Sequence, residues 1–214
     1  MTENATPTIV ALDTALDGCH VGLLHKGETH FSLSPMQRGQ SEELIPLVNA
    51  LLKSADVTYA DLDAVAVTKG PGSFTGTRIA LAAAQSIALA QGIPLYGLTN
   101  FEAIAGHDTC TVAIDTKRGE AFVQEFAAGV SVTAPHILPY ESCIEKLPKE
   151  NLRTNISNLD GDEIDLKEMI GFLLSYAQKQ YLDNDAKKTD EVKPTYLRDA
   201  ETSQSKIKYR KISK

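Results

Sequence analysis

The densest group of chemistry-bearing residue types in the chain is Lys69-Gly70-Pro71-Gly72-Ser73-Phe74-Thr75-Gly76-Thr77-Arg78. Glycines let a backbone turn tightly, a Ser or Thr can cap a following helix, and the free N–H groups of that helix can face an anion. That combination could cradle phosphate. However, no Lys-Ser/Thr follows a G-x-x-x-x-G, and there is no G-x-G-x-x-G with an acid some twenty residues on. The loop therefore reads as a structural turn in preference to a ligand cradle, with Ser73 or Thr75 as the helix cap.

Other reactive types are scattered. The five histidines, His20, His25, His30, His107 and His136, include no i,i+4 pair and no acid at ligand spacing, so each reads as a surface or packing residue. Cys19, Cys110 and Cys143 are odd in number and contain no C-x-x-C, which suggests neither a disulfide framework nor a zinc knuckle, only reduced thiols. No Ser/His/Asp or Cys/His arrangement supplies a nucleophile.

The elements that must position these residues follow from periodicity. Strand patterns cover 8–13, 18–25 and 28–33, with Lys26-Gly27 as a hairpin turn. Leu44, Ile45, Leu47, Val48, Leu51 and Leu52 recur at helical spacing behind Ser41-Glu42-Glu43, predicting a helix over 41–54 capped at Ser41. A strand over 62–68, the Gly/Pro loop, an Ala-rich helix over 76–91, a strand over 94–98 and a short helix opening at Thr99-Asn100 follow. The order β-β-β-α-β-α-β-α suggests an α/β fold with a mixed sheet covered by helices, the ribonuclease-H-like core of the actin and hexokinase (ASKHA) superfamily. We expect that unit to span 1–106. A smaller, degenerate second subdomain is expected over 107–200, with a hairpin at about 110–127, a loose stretch to 160 and one helix over 165–182. It looks too small to repeat the first unit.

Composition narrows the function classes. At 214 residues and 43% apolar the chain can bury a core, and no run approaches a membrane span, so a cytoplasmic protein is expected. Net charge is −7, but residues 201–214 hold Lys206, Lys208, Arg210, Lys211 and Lys214 against Glu201, which leaves −11 on the rest. An acidic body is a poor free-standing nucleic-acid binder; the basic tail, expected to be disordered, is the exception.

The helix over 76–91 alternates Ile79, Leu81, Ile87 and Leu89 with alanines, and Gln85 and Ser86 are its only polar residues from 79 to 90. A helix apolar all round is covered all round. One face suits the sheet, and the other a partner or, alternatively, the second unit. The stripe Arg78, Ala82, Gln85 and Leu89 is the mixed side expected to be wet in the monomer, while Ile79, Ala80, Ala83, Ala84 and Ile87 make the drier side.

Gly-Pro-Gly-Ser-Phe-Thr-Gly at 70–76 with Arg78-Ile79, then Gly92-Ile93-Pro94-Leu95-Tyr96-Gly97-Leu98-Thr99-Asn100-Phe101-Glu102-Ala103, resembles the signature of the TsaB (YeaZ) family. Three further segments agree in order: Ala11-Leu12-Asp13-Thr14-Ala15, Ala113 to Phe122, and Pro194-Thr195-Tyr196-Leu197-Arg198. The chain departs from the family pattern at Gln40, where His is common, and at Lys117 and Phe122, where Arg and Tyr are usual.

The resemblance implies a non-catalytic paralogue of the threonylcarbamoyl transferase TsaD, acting with TsaD and the ATPase TsaE on the tRNA adenosine beside the anticodon. It implies no catalytic residue, metal ligand or cofactor in the isolated chain, with ATP, ADP and metal held on partner subunits or at their interface. Asp13 and Thr14 would be vestiges of a phosphate loop, although Asp13 reads more simply as a turn former. Partner contact is expected from both helices, at Leu44, Leu47, Val48, Leu51, Phe74, Arg78, Ala82, Gln85 and Leu89. The same surface would form a homodimer when the chain is alone, and tRNA would be met only through the complex. The rival reading is an active metallopeptidase-like or ATP-dependent enzyme of the same superfamily.

Overall fold

The computed structural model describes residues 6–183 and 192–197. In the first half, β1 (Ile9–Asp13), β2 (Gly18–His25) and β3 (Glu28–Pro35) form an antiparallel meander. α1 (Gln40–Ser54) then crosses to β4 (Ala64–Thr68), which lies parallel to β1, and α2 (Phe74–Gln91) crosses to β5 (Leu95–Leu98), parallel to β4. The resulting order is β3-β2-β1-β4-β5, the ribonuclease-H-like arrangement that the element order implied. β1 and β4 are buried throughout because helices cover both sides, which explains their unbroken apolar runs.

Two helix starts differ from expectation. α1 begins at Gln40 on Gly39, whose φ is +98° and which supplies no side-chain cap, so Ser41 lies inside the first turn rather than before it. α2 begins at Phe74, with Ser73 Oγ accepting from the Gly76 N–H at 3.1 Å. It ends on Gly92 at φ +67°.

After α3 (Asn100–Ala105) the second half contains β6 (Cys110–Asp115), β7 (Glu120–Ala127), β8 (Val130–Ser131), β9 (His136–Pro139), α4 (Tyr140–Lys146), β10 (Leu152–Thr154), β11 (Asp162–Glu163) and α5 (Leu166–Leu182). Its strands can be followed as β9-β7-β6-β10-β11, antiparallel through the first three and parallel through the last three. That is the strand order and direction of the first sheet, with α4 in the place of α1. The second half therefore repeats the first in topology, contrary to expectation, and the stretch to 160 is not loose. Its reduction is local: residues 155–161 join β10 to β11 where the first half has α2.

A boundary at 106 separates the two sheets but not their cores. Ile9, Ala11, Ala64 and Ala66 of the first sheet pack in one cluster with Met169, Ile170, Leu173 and Leu174 of α5 and with Val112, Ile114 and Phe126 of the second sheet. The opposite face of the first sheet is covered by α1 and α2, through Leu44, Val48, Leu51, Ala80, Leu81, Ala84 and Ile87. A smaller cluster, with Ala121, Val123, Cys143 and Leu152, lies under α4. The basic tail and Arg198 lie outside the described residues.

Candidate functional site

The glycine-rich loop is filled by the chain itself. Ser73 N–H donates to Ala15 O at 2.8 Å, and the Thr14 hydroxyl donates to Gly76 O at 2.6 Å. A Cβ at Gly72 would sit 2.5 Å from Ala15 O, and one at Gly76 only 1.8 Å from Thr14 O. These glycines admit the β1–β2 turn, which packs against the start of α2.

Asp13 is buried and held entirely by internal donors. Its Oδ1 accepts from the Thr68 hydroxyl and from Asn100 Nδ2 at 2.8 Å, and its Oδ2 accepts from the Leu16 N–H at 3.3 Å. Asn100 completes the link: its Oδ1 accepts from Gly70 N–H at 2.9 Å, while its own N–H donates to Gly70 O at 2.8 Å. One carboxylate thus ties the ends of β1 and β4 to α3, and through Asn100 to the glycine loop. The side chain is a knot in the fold, accepting from internal donors on both carboxylate oxygens.

The two hairpin turns, 14–17 and 116–119, face each other across the halves. Lys117 Nζ lies 2.9 Å from Asp17 Oδ2 and 3.2 Å from Asp115 Oδ2, and Asn155 Nδ2 reaches Asp17 at 3.4 Å. Burial works against the Lys117 charge, but hydrogen bonds to Asp17 and Asp115 and their negative charges outweigh it, so its pKa is raised. Tyr140 donates to Asp115, and its pKa is pushed up by burial first and then by that carboxylate. A hollow of about 130 Å³ between the halves is lined by Phe101, Glu102, Gln124, Phe126 and Thr195. That is below the ~300 Å³ at which small-molecule pockets begin.

The histidines are dispersed. His20 Nε2 hydrogen-bonds Leu16 O at 2.9 Å, His25 meets the Thr8 hydroxyl at 3.0 Å, and His107 packs edge-on against Phe172. Among the described residues no three His, Cys, Asp or Glu side chains gather as a metal site, and no helix is long and apolar enough to cross a membrane. All three cysteines are buried thiols. The Cys19 pKa is raised to about 11, by burial first and then by the charges of Glu43 and Asp13.

The residues expected to meet a partner divide by burial. On α2, Phe74, Arg78, Ala82 and Leu89 are exposed and Gln85 is half-buried, with Leu89 at 78%. The opposite side of the helix, with Ala80, Ala84 and Ile87, faces the sheet. On α1 the assignment needs correction. Leu44, Val48 and Leu51 are buried against the first sheet and Leu47 packs beside them, so the apolar stripe of α1 is monomer core. Its open surface includes Ile45, Pro46, Asn49 and Ala50.

One component escaped the sequence reading. Residues 192–197 lie across α2 and the end of the sheet: Gln85 Nε2 donates to Val192 O at 3.2 Å, Thr195 N–H donates to Lys69 O at 2.7 Å, and Arg78 Nε donates to the Tyr196 hydroxyl at 2.8 Å. The sequence marked 194–198 by family resemblance but not where it docks; the bare Gly97 and Gly70 are what admit it, since a Cβ at Gly97 would meet Val192 at 2.5 Å and one at Gly70 would meet Thr195 O at 2.9 Å.

With this geometry, comparison with known proteins becomes informative. A family model described as TsaD, tRNA N6-adenosine threonylcarbamoyltransferase, matches residues 34–129. The tRNA threonylcarbamoyladenosine biosynthesis protein TsaB of Haemophilus influenzae is 26% identical over 91% of this chain and 95% of its own length. Its Escherichia coli namesake is 34% identical, over about half of each protein (55% and 54%). A Pseudomonas aeruginosa crystal structure, described as an uncharacterized protein with similarity to peptidase YeaZ, superposes with a TM-score of 0.72 at 25% identity, covering 90% of this chain and all of that one. A second structure, YeaZ from Pseudomonas aeruginosa, gives 0.70 at 24%, covering 89% of this chain and 100% of its own.

Proposed function

We propose, from the premise that the chain belongs to the TsaB (YeaZ) family, that it serves tRNA threonylcarbamoyladenosine biosynthesis as a non-catalytic subunit. Its work is to bind and support the catalytic paralogue TsaD, alongside the ATPase TsaE, and it pairs with itself when alone. The observation that carries this reading is the outer side of α2, where Phe74, Ala82 and Leu89 leave apolar area in water on a helix whose other side is already buried. Close packing of Thr14 and Ala15 on the glycine loop, and internal donors on both oxygens of Asp13, support the reading that residues resembling a phosphate site serve the fold here.

The cofactor proposal is that the isolated chain holds neither nucleotide nor metal, with both residing on the partners or at their interface. Calorimetry of the isolated chain should show no saturable heat with ATP or Zn²⁺, and a sub-micromolar site for either would favour an active enzyme instead. The decisive experiment is reconstitution: tRNA modification with the paralogue and the ATPase should collapse when only this chain is omitted. Undiminished modification without it would refute the proposal.

A further inference from the structure

We propose that Tyr196 is a positioning residue for partner docking: by seating on α2 it fixes Phe74 and Arg78 as a preformed patch that receives a carboxylate from a helix of the partner. The inference rests on the docking role proposed above.

The segment 192–197 is seated and not merely draped. Val192 is 6% exposed and packs over Gly97, and a Cβ on Gly70 would come within 2.9 Å of Thr195 O. Thr195 N–H is tied to Lys69 O, and Leu197 packs against the main core. Between these anchors the Tyr196 side chain turns outward. Its hydroxyl accepts from Arg78 Nε, and its ring centroid lies 5.1 Å from that of Phe74, tilted by 36°. The Arg78 guanidinium carbon stands 3.8 Å above the Phe74 ring. Three side chains, two on α2 and one more than a hundred residues later, thus form one stack, with Phe74 47% and Tyr196 41% exposed.

An exposed arginine normally samples many rotamers, and freezing one on binding costs affinity. Here the ring beneath and the hydroxyl beside it have already limited that freedom. The hydrogen bond to Tyr196 uses Nε, and no carboxylate among the described residues pairs with the guanidinium. α2 carries no acid of its own. A planar guanidinium with open Nη groups matches a carboxylate in two-point geometry. The surroundings, Ala82 and Leu89, ask for an apolar helix bearing that acid. A stacked nucleobase could also use two exposed rings, but a net charge of −7 disfavours a nucleic acid as the primary occupant.

The test measures affinity of the full-length chain for the catalytic paralogue in wild type, Tyr196→Ala, Tyr196→Phe, Arg78→Gln and the Tyr196→Ala/Arg78→Gln pair, at two salt concentrations. Tyr196→Ala should weaken binding about tenfold or more, Tyr196→Phe by less, and the salt dependence should fall with Arg78→Gln. Tyr196→Ala should add little once Arg78 is gone, because it acts through Arg78. Wild-type affinity in Tyr196→Ala, or effects that simply add, would overturn the inference. Failure of the wild-type chain to bind the paralogue would instead reject the docking role beneath it. Loss of affinity for tRNA alone in Tyr196→Ala, with paralogue binding intact, would replace the acidic helix with a nucleic acid.

Discussion

The ammonium of Lys117, in the second half, lies 2.9 Å from the Asp17 carboxylate of the first, so two topologically equivalent hairpin turns are joined by a side-chain cation at the surface. Both partners are more than half exposed, at 57% and 51%, so the bridge is screened and worth less than about 1 kcal/mol. Its folded-state pKa is raised above the ordinary 10.5. Its stabilisation is therefore complete below that value and lost as pH rises through the elevated one. Asn tolerates the left-handed φ of +58° at this position. Lys117→Asn should thus lower stability slightly at neutral pH, and the difference from wild type should close in strongly alkaline buffer. Parallel urea titrations at the two pH values provide the measurement.

Asn100 is the opposite case, a fully buried amide whose removal strands two groups. Asn100→Ala takes one donor from the Asp13 carboxylate and leaves the Gly70 N–H without its acceptor. A loss of roughly 2–4 kcal/mol is expected in chemical denaturation. A loss below ~0.5 kcal/mol, the scale of an ordinary surface change, would mean that the knot is not holding the β1, β4 and α3 ends together.

Ala82→Arg tests the outer side of α2 directly. Ala82 is exposed and Arg is a good helix former, so the melting temperature should stay close to wild type. A long charged side chain should nevertheless keep a partner helix at a distance, abolishing self-pairing in sedimentation and capture of the catalytic paralogue. A variant that still pairs would move the contact elsewhere.

The thiols give a fourth expectation. Cys19 has its pKa raised to about 11, and burial also raises those of Cys110 and Cys143. Thiolate is the reactive form, so a maleimide at neutral pH should label the native chain slowly at all three and promptly in denaturant. Fast labelling of Cys19 in native buffer would show that β2 opens locally.

The first half was legible because its elements are long and periodic: α2 was placed within two residues, Ser73 was among the two caps considered, and of the stripe read as wet from spacing, Arg78, Ala82 and Leu89 are exposed while Gln85 is half-buried and bonded to Val192 O. The same periodicity misled at α1. An amphipathic pattern says which side is apolar but not what covers it, and the sheet had the first claim on Leu44, Val48 and Leu51. The second half was hidden for another reason. Strands of two to four residues, such as β8, β9, β10 and β11, are too short to show alternation, and their pairing is fixed by distant partners. The seated segment at 192–197 has no period at all; it is held on α2 by hydrogen bonds from Arg78 and Gln85 and on β5 by Val192 packing over Gly97.

The position of α5 bears on how the chain is made. The first sheet is closed on one side by α1 and α2, which lie between its own strands in sequence, but on the other by a helix that ends at Leu182. During synthesis Ile9, Ala11, Ala64 and Ala66 lack that cover until α5 has emerged. A nascent chain halted after Ala105 should accordingly present an apolar sheet face and engage chaperones that bind such surfaces. The halves repeat each other in outline, yet they share one core, and the last helix among the described residues closes the first sheet.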